Sequence, residues 1–288
     1  VSRPNQEKVN PAEFIQLLRE LQHREEARRK TSHGAVLDPR LAMLRRWQSE
    51  RLAQTYADLL ADEQYRAACL FFLSDIYSPR DFSQRDQDAE HLYNLLSRFL
   101  PAAMLRLLAD TIRINQLTNQ LDQALLKVLV EDLSMTDAIT PQLYAQAYRL
   151  CDNYSERREQ IELLVKILRE AATGARNPIF AVSLHLAGPP ARRAGWSELY
   201  DFLKRGYAAC KPMRDVDYFV ATIYQRETDL LDRIYAGDPE PFKFLRASYC
   251  RFENLLIDSA VAYQVNLFLK IAEKATWKIP CRRVPPLV

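Results

Sequence analysis

A chain of 288 residues with 48% hydrophobic and 27% charged residues can bury a sizeable core without disulfide or metal support. Its 40 basic and 37 acidic residues leave a formal net charge of +3, and its basic pairs, such as Arg28-Arg29 and Arg157-Arg158, are scattered among acids. A nucleic-acid interface concentrates basic residues on one element, so that class of partner is not expected.

Six glycines and almost no Val-Ile-Thr alternation leave little from which to build strands, and helical periodicity runs through most of the chain. After a flexible start over residues 1–9, Asn10-Pro11-Ala12-Glu13 reads as a cap, a first-turn proline and a capping-box acid. Phe14, Leu17, Leu18 and Leu21 follow on one face. Asp38-Pro39 opens a second helix, with Leu41, Leu44, Leu52, Tyr56 and Leu59 as its stripe. A third runs from about Asp62 to Tyr77. The next starts near Asp81 and carries Leu92, Leu95, Leu96 and Phe99.

Pro101 begins a long helix marked by Leu107, Ile114, Leu121 and Leu125, and Thr140-Pro141 begins another. Ile161, Leu164, Val165 and Leu168 line a helix that should stop at Gly174. Asn177-Pro178 caps a short apolar helix expected to break at Gly188-Pro189-Pro190. Two helices follow, over Trp196 to Cys210 and Asp215 to Ala236, with Gly237 ending the second. A last helix from about Tyr249 to Trp277 is apolar nearly all round, which predicts a central, buried element. The tail from Ile279 to Val288 is expected to be irregular. The predicted fold is therefore all-α: a single domain over residues 10–278, of about ten helices packed around the C-terminal one. A subdomain seam is possible near residues 175–195.

Val1 to Lys8 is polar with no apolar stretch behind it, and reads as no signal peptide. Leu255 to Ala272 contains Asp258, Gln264, Asn266 and Lys270, unlike a span of about 20 clean apolar residues. The five cysteines, Cys69, Cys151, Cys210, Cys250 and Cys281, form no C-x-x-C pair, which suits a reducing cytosol. None of His23, His33, His91 and His185 lies near a cysteine pair, so no zinc site or other metal centre is read here. A cytoplasmic protein without membrane contact or cofactor is expected.

Candidate chemistry is sparse. The densest polar segment, Phe71 to Asp86, reads as helix, tight loop and helix, with Asp81 and Gln84 as a capping box. Its structural reading is a hydrogen-bonded corner. Its functional reading is a small anion or metabolite site with Tyr77, Arg80, Asp81 and Arg85 at a helix N-terminus, to which Arg226 and Glu227 could contribute. Asp88-x-x-His91 and Glu20-x-x-His23 have the spacing of a helical di-metal motif, but the second lies in a charged, solvated stretch. Asp58-x-x-x-Asp62, with Asp229-x-x-Asp232 as a weak partner, has the spacing of a magnesium-binding pair. Asp258 is expected to be paired with an arginine in the core. Nucleophile-elbow, phosphate-loop and dinucleotide signatures are missing.

The segment Phe71 to Asp86, FFLSDIYSPRDFSQRD, resembles the hallmark of a family of functionally uncharacterised bacterial, proteobacterial all-helical proteins. Phe202 to Tyr207, Phe219 to Glu227 and Leu121-Asp122 are similar to further blocks of that family. The resemblance implies a bacterial cytoplasmic helical protein and carries no catalytic residue with it. The function read from these observations is a helical protein-interaction or regulatory module without catalytic activity, binding a protein partner or its own copy through anchors such as Trp47 and Trp196. The alternative is a small-molecule or anion-binding protein, or an enzyme, with a pocket between helices near Tyr77 to Asp86.

Overall fold

The computed structural model describes residues 10–30, 38–73, 89–136, 138–193 and 197–243. Among the described residues there are eleven α-helices, short π-helical stretches and no strand. The protein is an all-α domain.

Helix α1 (Pro11–Lys30) starts as its sequence predicts, with Asn10 Oδ1 accepting from the Ala12 N–H at 3.1 Å. Glu13 does not close a capping box; it forms an ion pair with Arg113. Helix α2 (Pro39–Thr55) is capped by Asp38, which accepts from the Arg40 N–H at 2.9 Å. The stripe expected to continue as one helix to Leu59 is interrupted at Tyr56 (φ −111°, ψ 23°), where α3 (Ala57–Ala61) begins. Tyr56 is buried and its hydroxyl is tied to Glu227 at 2.7 Å. A tertiary anchor here overrides local helical preference.

Asp62 caps α4 (Glu63–Phe71) by accepting from the Gln64 N–H at 2.9 Å. Then come α5 (Ala89–Phe99) and the 26-residue α6 (Ala102–Lys127), which runs on into a π-helical turn over Val128–Asp132. Thr140 Oγ1 accepts from the Leu143 N–H to open α7 (Pro141–Leu150), and α8 (Tyr154–Ala175) follows.

Helix α9 (Pro178–Arg193) does not break where expected but continues through Pro189 and Pro190. The two prolines deprive the carbonyls of His185 and Leu186 of their helical donors. Both residues are exposed, so water can satisfy those groups. Gly188 serves a close approach to α10 (Ser197–Cys210): a Cβ there would stand 2.8 Å from the Tyr200 hydroxyl. Helix α11 (Val216–Tyr235) is capped by Asp215. It ends with Gly237 at φ 77°, where the Gly237 and Asp238 N–H groups donate to the Ile234 and Arg233 carbonyls, a Schellman closure.

Among the described residues, three apolar clusters build the interior. One joins α2, α3, α4, α8 and α11 around Tyr65, Leu164, Phe219 and Ile223. A second joins α1, α5, α6, α9 and α10 around Phe14, Leu105 and Leu184. The third packs α2, α7 and the π turn around Leu44, Leu125, Leu129 and Tyr144. Helix α6 contributes to all three, through Ile114, Leu108 and Leu125.

Trp47, expected as an exposed anchor, is instead half-buried, stacked on Tyr144 at 4.1 Å and edge-on to Phe242 at 5.6 Å. Trp196 lies outside the described residues, as do the expected C-terminal helix, the tail and residues 1–9. No helix among the described residues is long and apolar enough to cross a membrane.

Candidate functional site

Five helices place polar side chains on stripes that are otherwise apolar. On α2, Gln48 stands between Leu44 and Leu52, with Arg51 one turn further on. On α6, Asp122 lies between Leu121 and Leu125, and on α8 Arg157 precedes Ile161, Leu164 and Leu168. On α11, Glu227 falls between Ile223 and Leu231, while α7 adds Tyr144. The 3.6-residue period drives all of them inward. They converge on one cavity of about 60 Å³, room for a few waters or a ligand of small bulk. Leu52, Phe72, Ile114, Ile161 and Leu164 complete its wall.

The polar groups are partly paired. Asp122, 1% exposed, accepts from Gln48 Nε2 at 3.0 Å and from Arg45 Nε at 3.4 Å. Arg45 also donates to Asn119 Oδ1 at 2.5 Å. Glu227 accepts from Arg51 Nη1 at 2.6 Å and from the Tyr56 hydroxyl at 2.7 Å. Arg157, 3% exposed, donates to the Leu121 carbonyl at 3.1 Å and to Gln160 Oε1 at 3.4 Å. Its guanidinium lies 4.3 Å from the Tyr148 ring centroid, a cation–π contact. Gln160 in turn donates to Thr118 Oγ1 at 2.8 Å.

Pairing stops there. Gln48 Oε1, Arg51 Nε and Arg157 Nε are buried without a hydrogen-bond partner, although each residue lines the cavity. Asp122 is an acceptor, so it fixes the Gln48 amide nitrogen on its own side and leaves the oxygen unmatched. Among the described residues, no carboxylate is in ion-pair range of Arg157, whereas Arg45 and Arg51 each have one. Buried polar atoms are rarely left in this state without a reason.

Both guanidiniums keep their charge. Burial is the largest influence on Arg51 and opposes its cation, but its surroundings, the Glu227 carboxylate foremost, together outweigh it and raise the pKa. Burial opposes the Arg157 cation too, and its surroundings, the Asp122 carboxylate among them, raise its pKa. Burial lifts the Tyr144 hydroxyl well above the usual phenol range, so it keeps its proton. Cys69, outside the cavity lining, is pushed up to about 12 by burial and remains an inert thiol.

Of the residues singled out in the sequence, Glu227 is in the cavity wall. Its neighbour Arg226 is not in that wall. It grips Asp58 with two bonds of 2.7 Å and donates to the Thr55 carbonyl, joining α11 to the α2–α3 junction. Tyr77, Arg80, Asp81 and Arg85 lie outside the described residues, as does Asp258. The Asp58-Asp62 pair is committed elsewhere, Asp58 to Arg226 and Asp62 to the cap of α4. Asp232 of the second acidic pair accepts from the Tyr154 hydroxyl at 2.7 Å. Glu20 accepts from Gln16 and Gln116; Asp88 and the side chains of His23 and His91 are outside the described set. No group of three or more His, Cys, Asp or Glu among the described residues is placed to hold a metal ion.

Sequence reasoning missed Gln48, Arg51, Tyr144 and Arg157 as site residues. The available signal was a polar residue sitting on an apolar stripe, as Arg157 does four residues before Ile161. A family model described as Domain of unknown function (DUF8198) matches residues 22–241. The chain belongs to this family. All the polar cavity residues named above fall inside the DUF8198 match. No curated protein and no solved structure matches the chain.

Proposed function

We propose that this DUF8198 domain is a binding module that captures a small anion between α2, α6, α7, α8 and α11. The observation carrying this reading is Arg157, a buried cation with no carboxylate partner among the described residues and an unmatched donor, lining a cavity. An unpaired charge in an apolar interior is costly, and a bound anion relieves that cost. The high hydroxyl pKa of Tyr144 and the burial-raised thiols of Cys69 and Cys210 favour binding over nucleophilic catalysis. A bacterial cytoplasmic setting accords with the free thiols Cys69, Cys151 and Cys210.

The test is thermal unfolding at constant ionic strength with formate, acetate, lactate, phosphate or sulfate. Binding at about a hundred times the dissociation constant contributes roughly 2.7 kcal/mol and raises the melting temperature by several degrees. The rise should vanish in Arg157→Met. Equal melting temperatures across the panel would refute the proposal.

A second reading, self-association, rests on α9, where Ile179, Val182 and Leu186 are exposed along one face. This stripe carries no charge, so a second copy can meet it by an isologous contact. Light scattering of the protein and of Val182→Asp tests it: a monomer in both would dismiss it.

A further inference from the structure

The proposed anion site has a charge count and an acceptor that together narrow its ligand. Among the described residues, Arg45 pairs with Asp122 and Arg51 with Glu227, while the third buried cation, Arg157, bonds only to the Leu121 carbonyl and Gln160. One positive charge is left over. A ligand with a single negative charge brings the network to neutrality, whereas a dianion would replace one uncompensated charge by another of opposite sign.

A simple halide or a bare carboxylate would satisfy Arg51 Nε and Arg157 Nε yet leave Gln48 Oε1 unmatched. That oxygen requires a donor, and the ligand can supply it as a hydroxyl. An amino acid would also bring donors, but as a net-neutral zwitterion it would leave the excess charge in place. The remaining wall, formed by Leu52, Phe72, Ile114, Ile161 and Leu164, matches a short hydrocarbon segment. Building on the anion-site reading, we infer that the cavity takes a small hydroxy-monocarboxylate, its carboxylate on the two arginines and its hydroxyl on Gln48.

Trp47 supplies a reporter, because it stacks on Tyr144 at 4.1 Å and Tyr144 lines the cavity. The experiment titrates the whole protein with lactate, 2-hydroxyisovalerate and 3-hydroxybutyrate, and with their counterparts propionate, isovalerate and butyrate. Phosphate and sulfate form a third arm. Tryptophan fluorescence and calorimetry give the affinities. At least one hydroxy acid should bind about tenfold or more tightly than its counterpart, since a site built around a hydroxyl discriminates against a ligand lacking it. The unmodified protein carries this comparison, so it does not depend on a variant folding. Gln48→Ala should then shrink the difference to about twofold or less. Equal binding of the paired acids, or binding of phosphate or sulfate alone, would overturn the ligand class while leaving an anion site in place. No binding in any arm would remove both.

Discussion

Arg157 and Asp122 are both buried charges, yet their removal should have opposite consequences. Asp122 receives Gln48 and Arg45, so Asp122→Ala orphans two donors at once and leaves a cation without its partner. Breaking a buried pair from one side costs about 3 kcal/mol or more. Urea unfolding of Asp122→Ala should show a loss of that order. Among the described residues, Arg157 has no partner to orphan beyond the Leu121 carbonyl, Gln160 and the Tyr148 ring. In ligand-free protein, Arg157→Met should therefore be neutral or stabilising by up to about 2 kcal/mol, because it removes an unpaired buried charge and keeps the bulk of the side chain. A large destabilisation in the same urea experiment would mean that the arginine is a structural strut.

Helix starts were the most legible elements, because a cap is a local event. Asn10, Asp38, Thr140 and Asp215 each stand where the sequence starts a helix, and each accepts from a first-turn N–H. Asp215→Ala should cost about 1 kcal/mol, read as a lower urea midpoint with an unchanged slope. Interruptions and continuations were less legible. The break at Tyr56 depends on a hydroxyl contact with a residue 171 positions away. The passage of α9 through two prolines depends on which carbonyls face solvent. Neither fact is encoded in a local window. The cavity follows the same logic: stripes mark Gln48, Asp122, Arg157 and Glu227 as buried, while their convergence is a property of how five helices pack. Polar corners draw attention in a sequence because their residues are contiguous, and this site gathers residues one or two at a time.

At the scale of the whole molecule, one exposed link joins distant parts of the chain. Arg226 holds Asp58 through two hydrogen bonds, and chiefly these bonds keep the Asp58 carboxyl below its usual range. A carboxyl whose folded-state pKa is depressed contributes stability at pH values above its unfolded pKa, near 4. That contribution is lost as the pH falls through the lower folded value. Asp58→Asn should therefore lower stability at neutral pH by a modest amount, since the pair is partly exposed. The difference from the unmodified protein should close in strong acid. Melting temperatures of the two proteins across a pH series check this, and a gap that persists at the acid end would assign the loss to something other than ionisation.

Helix α6 places Leu108, Ile114 and Leu125 in three different apolar clusters. A rod common to all three described clusters has no neutral point of division. A fragment ending within α6 would strip at least one cluster of its share of that helix, and two complementary fragments would each expose a raw apolar seam. The helices that surround α6 are therefore not modules to be borrowed or traded singly. In this chain, the unit that can be inherited, transplanted or lost is the whole bundle.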